Sequence, residues 1–271
     1  MRYFRTAIGV GLVVIFPQFV SAATLSGVGT YEGNAGIGTS NGDVTDSPVG
    51  STYIYVTTAG STFYGAGLDV GSETNGTELE TAVFSAEEGS VLDYYFNYVA
   101  SDGTLSFVEY AYAQLKNAAG ALTTIFTART TPSGDTVPGF DIPIDTSVTL
   151  DPASTPILPG SGNSGAPIWD EIAGSSGTCF GSGCGLTGWI NAEYTIEEAG
   201  DYSLIFGVVN WGDTAYDNGL AIAGLSLDGV DIIDDGNGNG DPNVIPLPAT
   251  GWLLLGGLGG LSALRRRRKP S

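Results

Sequence analysis

Val91-Leu92-Asp93-Tyr94-Tyr95-Phe96-Asn97-Tyr98-Val99-Ala100 is followed by Ser101-Asp102-Gly103-Thr104, and then by the largely apolar run from Leu105 to Leu115. Long stretches rich in Val, Tyr and Phe suit a pleated, half-buried surface. Ser, Asp and Gly supply the turn between them. The arrangement predicts two strands joined as a β-hairpin with a loop of about four residues. Working outward, Tyr53–Val56, Ala121–Ala128, Gly188–Ile196, Tyr202–Val209 and Leu220–Leu227 read in the same way. Each is bounded by Gly, Asp, Asn, Ser or Pro. Between the two termini no amphipathic helical period appears. Short strands at such spacing predict an all-β chain, a single jelly-roll-like antiparallel β-sandwich.

Composition agrees. Glycine occurs 42 times in 271 residues and only 14% of residues are charged, which favours turns over long helices. A body of about 200 residues is long enough for one large sandwich and need not be divided. The net charge is −20, and all 29 acidic residues fall between Glu32 and Asp241. Lys116 and Arg129 are the only basic residues in that span. Such a field repels phosphate, so a nucleic-acid partner is excluded. The chain has no histidine, which removes the commonest general base and the commonest zinc ligand.

The two ends carry addresses. Arg2 and Arg5 precede the apolar stretch Thr6–Phe16, Pro17 breaks it, and Val20-Ser21-Ala22 offers small residues for cleavage. Residues 1–22 are expected to be a secretory signal peptide with a short apolar helix. At the other end, Val244 to Leu264 contains no charge and is long enough to cross a bilayer core. Arg265, Arg266, Arg267, Arg268 and Lys269 follow directly. Basic residues there are held on the cytoplasmic side and act as a stop-transfer signal. The expected order is signal peptide 1–22, β-sandwich body 23–233, Gly/Asn/Asp linker 234–244, and a C-terminal tail 245–271.

That tail resembles the exosortase-type PEP-CTERM sorting signals: a proline-containing motif, an apolar helix and an arginine cluster, in that order at the extreme C-terminus. The motif is Ile245-Pro246-Leu247-Pro248-Ala249, similar to the VPLPA-CTERM variant with Ile in place of Val. The resemblance implies a Gram-negative host and export. It also implies a precursor held in the inner membrane by its C-terminal helix. An exosortase-type enzyme would then cut near the motif and pass the body to the cell surface or extracellular matrix.

A second resemblance lies in the body. Tyr202–Asn210, then Asp213-Thr214-Ala215-Tyr216-Asp217-Asn218-Gly219-Leu220, is similar to a strand, an Asn and D-T-x-x-D-[SN]-G-L in the β-sandwich "choice-of-anchor" domains of bacterial surface proteins. An Asp usual after the Gly-Leu step is replaced by the run Ala221-Ile222-Ala223-Gly224. The resemblance implies a surface location and an all-β fold, and no reaction.

Several stretches bear on chemistry. Asn210, Asp213, Asp217 and Asn218 make an oxygen-rich turn between two strands. Two readings stand: a calcium site, since calcium accepts such oxygens in a flexible loop, or an Asx turn bonded to backbone N–H groups. Asp235-Gly236-Asn237-Gly238-Asn239-Gly240 matches the first half of an EF-hand loop, but the twelfth position is Pro246 instead of Glu, so a flexible linker is expected. Gly162-Asn163-Ser164-Gly165-Ala166-Pro167 looks like the segment around a serine-protease nucleophile. Without any histidine as base it reads as a loop. Cys179 and Cys184, exported, are expected to close a small disulfide loop.

Carboxylate pairs are the remaining catalytic route, with Glu87, Glu88, Asp93, Glu109 and Glu193 available for glycoside cleavage. Tyr94, Phe96, Tyr98, Tyr110, Tyr112 and Trp189 could stack on sugars, but their alternation favours packing. The expectation is a secreted surface or matrix protein without catalysis. Its rivals are an exopolysaccharide-binding module and a glycoside hydrolase. An outward row of aromatics would favour the first, and two carboxylates facing each other across a cleft the second.

Overall fold

The computed structural model describes residues 22–234. The expected signal peptide up to Ser21 lies outside the described residues. So do the linker from Asp235 onward, the motif Ile245–Ala249, the apolar helix and the cluster Arg265–Lys269. Among the described residues no helix is long and apolar enough to cross a membrane.

Strands β1 (Ala23–Leu25), β2 (Gly29–Glu32), β3 (Asn34–Thr39), β4 (Thr52–Thr57), β5 (Glu73–Thr81) and β6 (Phe84–Ala86) lead to the long β7 (Val91–Ala100). After it come β8 (Asp102–Gly103), β9 (Tyr110–Asn117), β10 (Leu122–Arg129), β11 (Asp135–Val137), β12 (Val148–Asp151) and β13 (Thr155–Pro156). Short 3-10 turns at Asn163–Gly165 and Asp170–Ser175 precede β14 (Phe180–Gly181), β15 (Gly185–Leu186), β16 (Ile190–Thr195), β17 (Gly200–Trp211), β18 (Asn218–Leu227) and β19 (Val230–Asp231). The strands form an all-β, sandwich-like pair of antiparallel sheets. One sheet is ordered β1-β2-β5-β17-β9-β10, with β6 beside β17. The other is ordered β12-β16-β7-β18-β4-β3, with β15 on β7 and β19 on β18.

Side chains on a strand alternate between faces. Leu92, Tyr94, Phe96, Tyr98 and Ala100 of β7 therefore enter the space between the sheets, where Leu79, Leu115, Phe126, Leu204, Phe206 and Val208 meet them from the other sheet. Tyr94 meets Phe206 across the core edge to face, with ring centroids 5.5 Å apart. Full burial of each such side chain contributes roughly 1.5–3 kcal/mol.

The outer faces are covered as well. Tyr53, Val99, Ala221 and Ala223 lie under Trp169, just before the second 3-10 turn, and Ile172 within it, and Trp169 Nε1 donates to Tyr53 Oη at 2.8 Å. On the opposite outer face Ala66, with Phe63 and Leu68 beside it, covers Tyr110, Tyr112 and Val209. There Tyr112 lies across Gly207, where an added Cβ would meet the ring 2.2 Å away.

The expected hairpin is corrected by the pairing. β7 pairs with β16 and β18, whereas β9 pairs with β17 and β10 in the opposite sheet. Residues 101–109 thus cross between the layers. The physical reason is burial. In opposite sheets, the inner rows Tyr94-Phe96-Tyr98 and Ala111-Ala113-Leu115 face one another and close a single core. Strand β5, too polar to be read from Glu-Thr-Asn-Gly-Thr-Glu-Leu-Glu-Thr, sits between β2 and β17.

Candidate functional site

Five inward rows end in a polar residue at the same end of the sandwich. Continuing the alternation of β7 past Ala100 reaches Asp102. Glu109 heads the row Ala111-Ala113-Leu115. Asn210 ends the row Leu204-Phe206-Val208, Asn218 begins Asn218-Leu220-Ile222, and Asn75 begins Asn75-Thr77-Leu79. Pairing of Ala100 with Asn218, Tyr110 with Val209 and Glu73 with Trp211 brings these ends together. All five polar residues are buried, with Asp102, Glu109, Asn210 and Asn218 0% exposed.

The three asparagines form a ladder between the sheets. Asn218 Nδ2 donates to Asn210 Oδ1 at 2.9 Å and to Val209 O at 3.0 Å. Asn210 Nδ2 donates to Asn75 Oδ1 at 3.1 Å, and Asn75 Nδ2 donates to the carbonyls of Thr58 and Ser61.

The acids beside the ladder are not so provided. Burial, and then the charge of Asp102, push the Glu109 carboxyl well above its ordinary range, with Asp217 and Asp213 adding to the effect and the neighbouring Asn218 amide opposing it. Burial raises Asp102 to about 6 against hydrogen bonds from Thr104, and Asp213 adds repulsion. Burial also raises Tyr98, helped by the charges of Glu109 and Asp102.

Loop 212–217 covers this end. Of the four residues expected to hold calcium, the loop brings all to one place but engages three of them elsewhere. The amide of Asn210 is closed on both sides within the ladder. Asp217 accepts from Thr58 Oγ1 at 3.2 Å and Ser175 Oγ at 2.8 Å. Asp213 Oδ1 accepts from the backbone of Ala215 at 2.9 Å, the Asx geometry of the alternative reading. Asn218 retains a side-chain oxygen without a partner. Among the described residues, no group of three acids, cysteines or histidines stands ready to hold a metal.

Cys179 and Cys184 are joined as a disulfide, their Cα atoms 5.7 Å apart. Its loop packs on Asp102-Gly103, with Phe180 N donating to Ser101 O at 2.9 Å and Gly183 N to Gly103 O at 3.0 Å. A Cβ on Gly103 would meet the Gly183 backbone at 2.2 Å, so this close approach requires glycine. Above it Phe180, 42% exposed, lies between Phe107 and Tyr216 with centroid distances of 5.8 and 5.3 Å. Ser164 is exposed in its 3-10 turn.

The remaining candidates are dispersed. Glu87, Glu88 and Glu193 are exposed, Asp93 lies opposite Glu193 across β7–β16 and accepts from Asn191, and Glu109 is buried. Tyr94, Phe96, Tyr98, Tyr110 and Tyr112 are all buried, and half-buried Trp189 donates to Thr45 O. The pairing of Asp102 with Glu109 escaped the sequence reading because a hairpin was expected there. Extending the inward parity of each strand by one step would have found it.

Fold and site together define an all-β sandwich with an acidic, amide-laddered plug at one end. No known protein family matches the chain, and neither does any curated protein.

Proposed function

We propose that the chain is a secreted, sorted cell-surface or extracellular-matrix protein whose jelly-roll-like body acts without catalysis. The observation that carries this reading is the burial of the strand aromatics, Tyr94, Phe96 and Tyr98 between the sheets and Tyr110 and Tyr112 under the covering residues Phe63, Ala66 and Leu68, where they serve packing instead of a ligand groove. The carboxylates support it, because a glycosidase needs two of them facing each other across its substrate, whereas Asp93 and Glu193 are neighbours on one sheet face and Asp102 and Glu109 are fully buried. The export signal, the motif Ile245–Ala249 and the stop-transfer cluster supply the address. On this reading the precursor is held in the inner membrane of a Gram-negative bacterium and processed by an exosortase-type enzyme. Replacing Pro246–Ala249 by Gly-Ser repeats should leave an intact, membrane-retained precursor on fractionation. Normal removal of the tail from that variant would refute the sorting.

One observation favours a second reading, exopolysaccharide binding. Phe180, Phe107 and Tyr216 form an aromatic group at the surface beside exposed Leu105, and exposed rings stack on sugar faces. Incubating the full chain with a panel of bacterial and algal polysaccharides separates the readings. Retention lost in Phe180→Ala favours the binding module. Release of reducing ends, abolished by a single Glu or Asp change, favours the hydrolase and overturns the proposal.

A further inference from the structure

Four buried oxygens at the plug have no hydrogen-bond partner: Asp102 Oδ2, Glu109 Oε1, Glu109 Oε2 and Asn218 Oδ1. Apart from the buried Tyr98 hydroxyl, which lies close enough to both acids to feel their charges and is itself without a partner, the donors around them are committed elsewhere. Both N–H groups of Asn218 Nδ2 are given to Val209 O and Asn210 Oδ1, so its amide turns only an acceptor outward from the ladder. Asn210 Nδ2 goes to Asn75. Thr58 and Ser175 hydroxyls go to Asp217. Arg129, the basic residue at this end, does not neutralise Glu109. Its guanidinium lies over the rings of Phe140 and Trp211, 4.8 and 4.7 Å from their centroids, and its N–H groups reach the carbonyls of Val108 and Phe140. Buried carboxylates without a counter-charge are heavily penalised, and the single hydroxyl of Tyr98 cannot serve four acceptors, which together ask for a positive partner.

We propose that Asp102, Glu109 and Asn218 form a buried calcium site, closed by loop 212–217 and the disulfide loop 179–184. The donor set is oxygen only. The chain has no histidine and both cysteines are in the disulfide, so soft-ligand transition metals have nothing to select for. Two carboxylates balance the ion's charge, and Glu109, with both oxygens free, suits bidentate binding. Calcium fills its remaining positions with neutral amide oxygens, backbone carbonyls and water, so a third acid is not required. Magnesium demands stricter octahedral geometry and gives up water reluctantly, so calcium is preferred. Asp213 and Asp217 lie near enough for their charges to act on Glu109 and deepen the negative field at the mouth. The ion would tie together β8, which pairs with β14 outside the two large sheets, Glu109 just before β9 of one sheet and the start of β18 of the other, and would relieve the repulsion between the two acids. This inference is independent of the sorting and surface reading.

The test titrates calcium into the full chain after chelation, following the thermal midpoint by circular dichroism and binding by calorimetry. Terbium serves as a luminescent calcium substitute, excited through nearby tyrosine and tryptophan. At about a hundredfold excess over the Kd, linkage should raise the midpoint by about 5–10 °C for a body of this size. Magnesium should shift it less. Glu109→Gln, which keeps shape and removes charge, should abolish the shift and the luminescence while retaining the sheet spectrum. Asp102→Asn is the second variant if the first fails to fold. No midpoint change and no binding heat in the parent protein would overturn the proposal. So would binding that survives Glu109→Gln but is lost in Asp213→Asn, since that places the ion in the surface loop.

Discussion

Replacing Asn210 by Ala should reveal how the two sheets are held together at the plug. Asn210 has two side-chain bonds, to Asn75 Oδ1 at 3.1 Å and from Asn218 Nδ2 at 2.9 Å, and it is fully buried. The substitution removes both bonds. It also leaves Asn75 Oδ1 without its donor and one N–H of Asn218 without its acceptor, in a site closed to water. Each orphaned buried group costs about 1–3 kcal/mol, so the expected loss is about 4 kcal/mol. That is a large fraction of a net stability of about 5–15 kcal/mol. With a urea slope of about 2.5 kcal/mol/M, the midpoint should fall by about 1.5 M. The double variant Asn75→Ala/Asn210→Ala removes one of the orphans, so its loss should be smaller than the sum of the single losses by about 1–3 kcal/mol. The exposed Asn163→Ala is the control and should stay within about 0.5 kcal/mol of the parent. Urea unfolding of all four variants, followed by circular dichroism, decides. A loss below about 1 kcal/mol for Asn210→Ala, or strict additivity in the cycle, would refute the ladder as a coupled unit.

Three further outcomes are expected. Changing Cys179 and Cys184 together to Ser opens a loop with a sequence separation of 5 and should lower stability by about 2 kcal/mol through the freed unfolded chain; an unchanged urea midpoint would contradict this. Burial works against the Glu73 carboxylate, yet hydrogen bonds from Val70 N, Gly71 N and Tyr110 Oη hold its pKa below the ordinary 4.5. Its contribution is therefore present above that value and lost as pH falls through the lowered one, and the parent's advantage over Glu73→Gln in thermal midpoint should shrink on acidification. Gly207→Ala drives a Cβ into the Tyr112 ring and should cost about 1–3 kcal/mol in urea unfolding, where a neutral result would mean that the ring has room to move.

The strands themselves were legible because alternation and turn residues are local. Val91–Ala100 reads as a strand with the observed bounds, and Tyr53–Val56, Tyr202–Val209 and Leu220–Leu227 each fall inside β4, β17 and β18. The disulfide and the all-β class were legible for the same reason: short-range spacing and composition suffice. What the local pattern does not carry is the partner. Ser101-Asp102-Gly103-Thr104 has the chemistry of a tight turn, yet the chain there crosses to the other sheet, because only then do both apolar rows bury. Glu73–Thr81 hides its inward Asn75, Thr77 and Leu79 among polar, mostly half-buried neighbours, and its place beside β17 depends on residues more than 100 positions away. The acidic plug joins positions 102, 109 and 218: strand parity marks each as inward, but which of the inward positions meet depends on how the two sheets close. Strand identity is set by side-chain periodicity within a few residues. Which oxygens share one buried space is set by the closure of two sheets, a property of the whole chain.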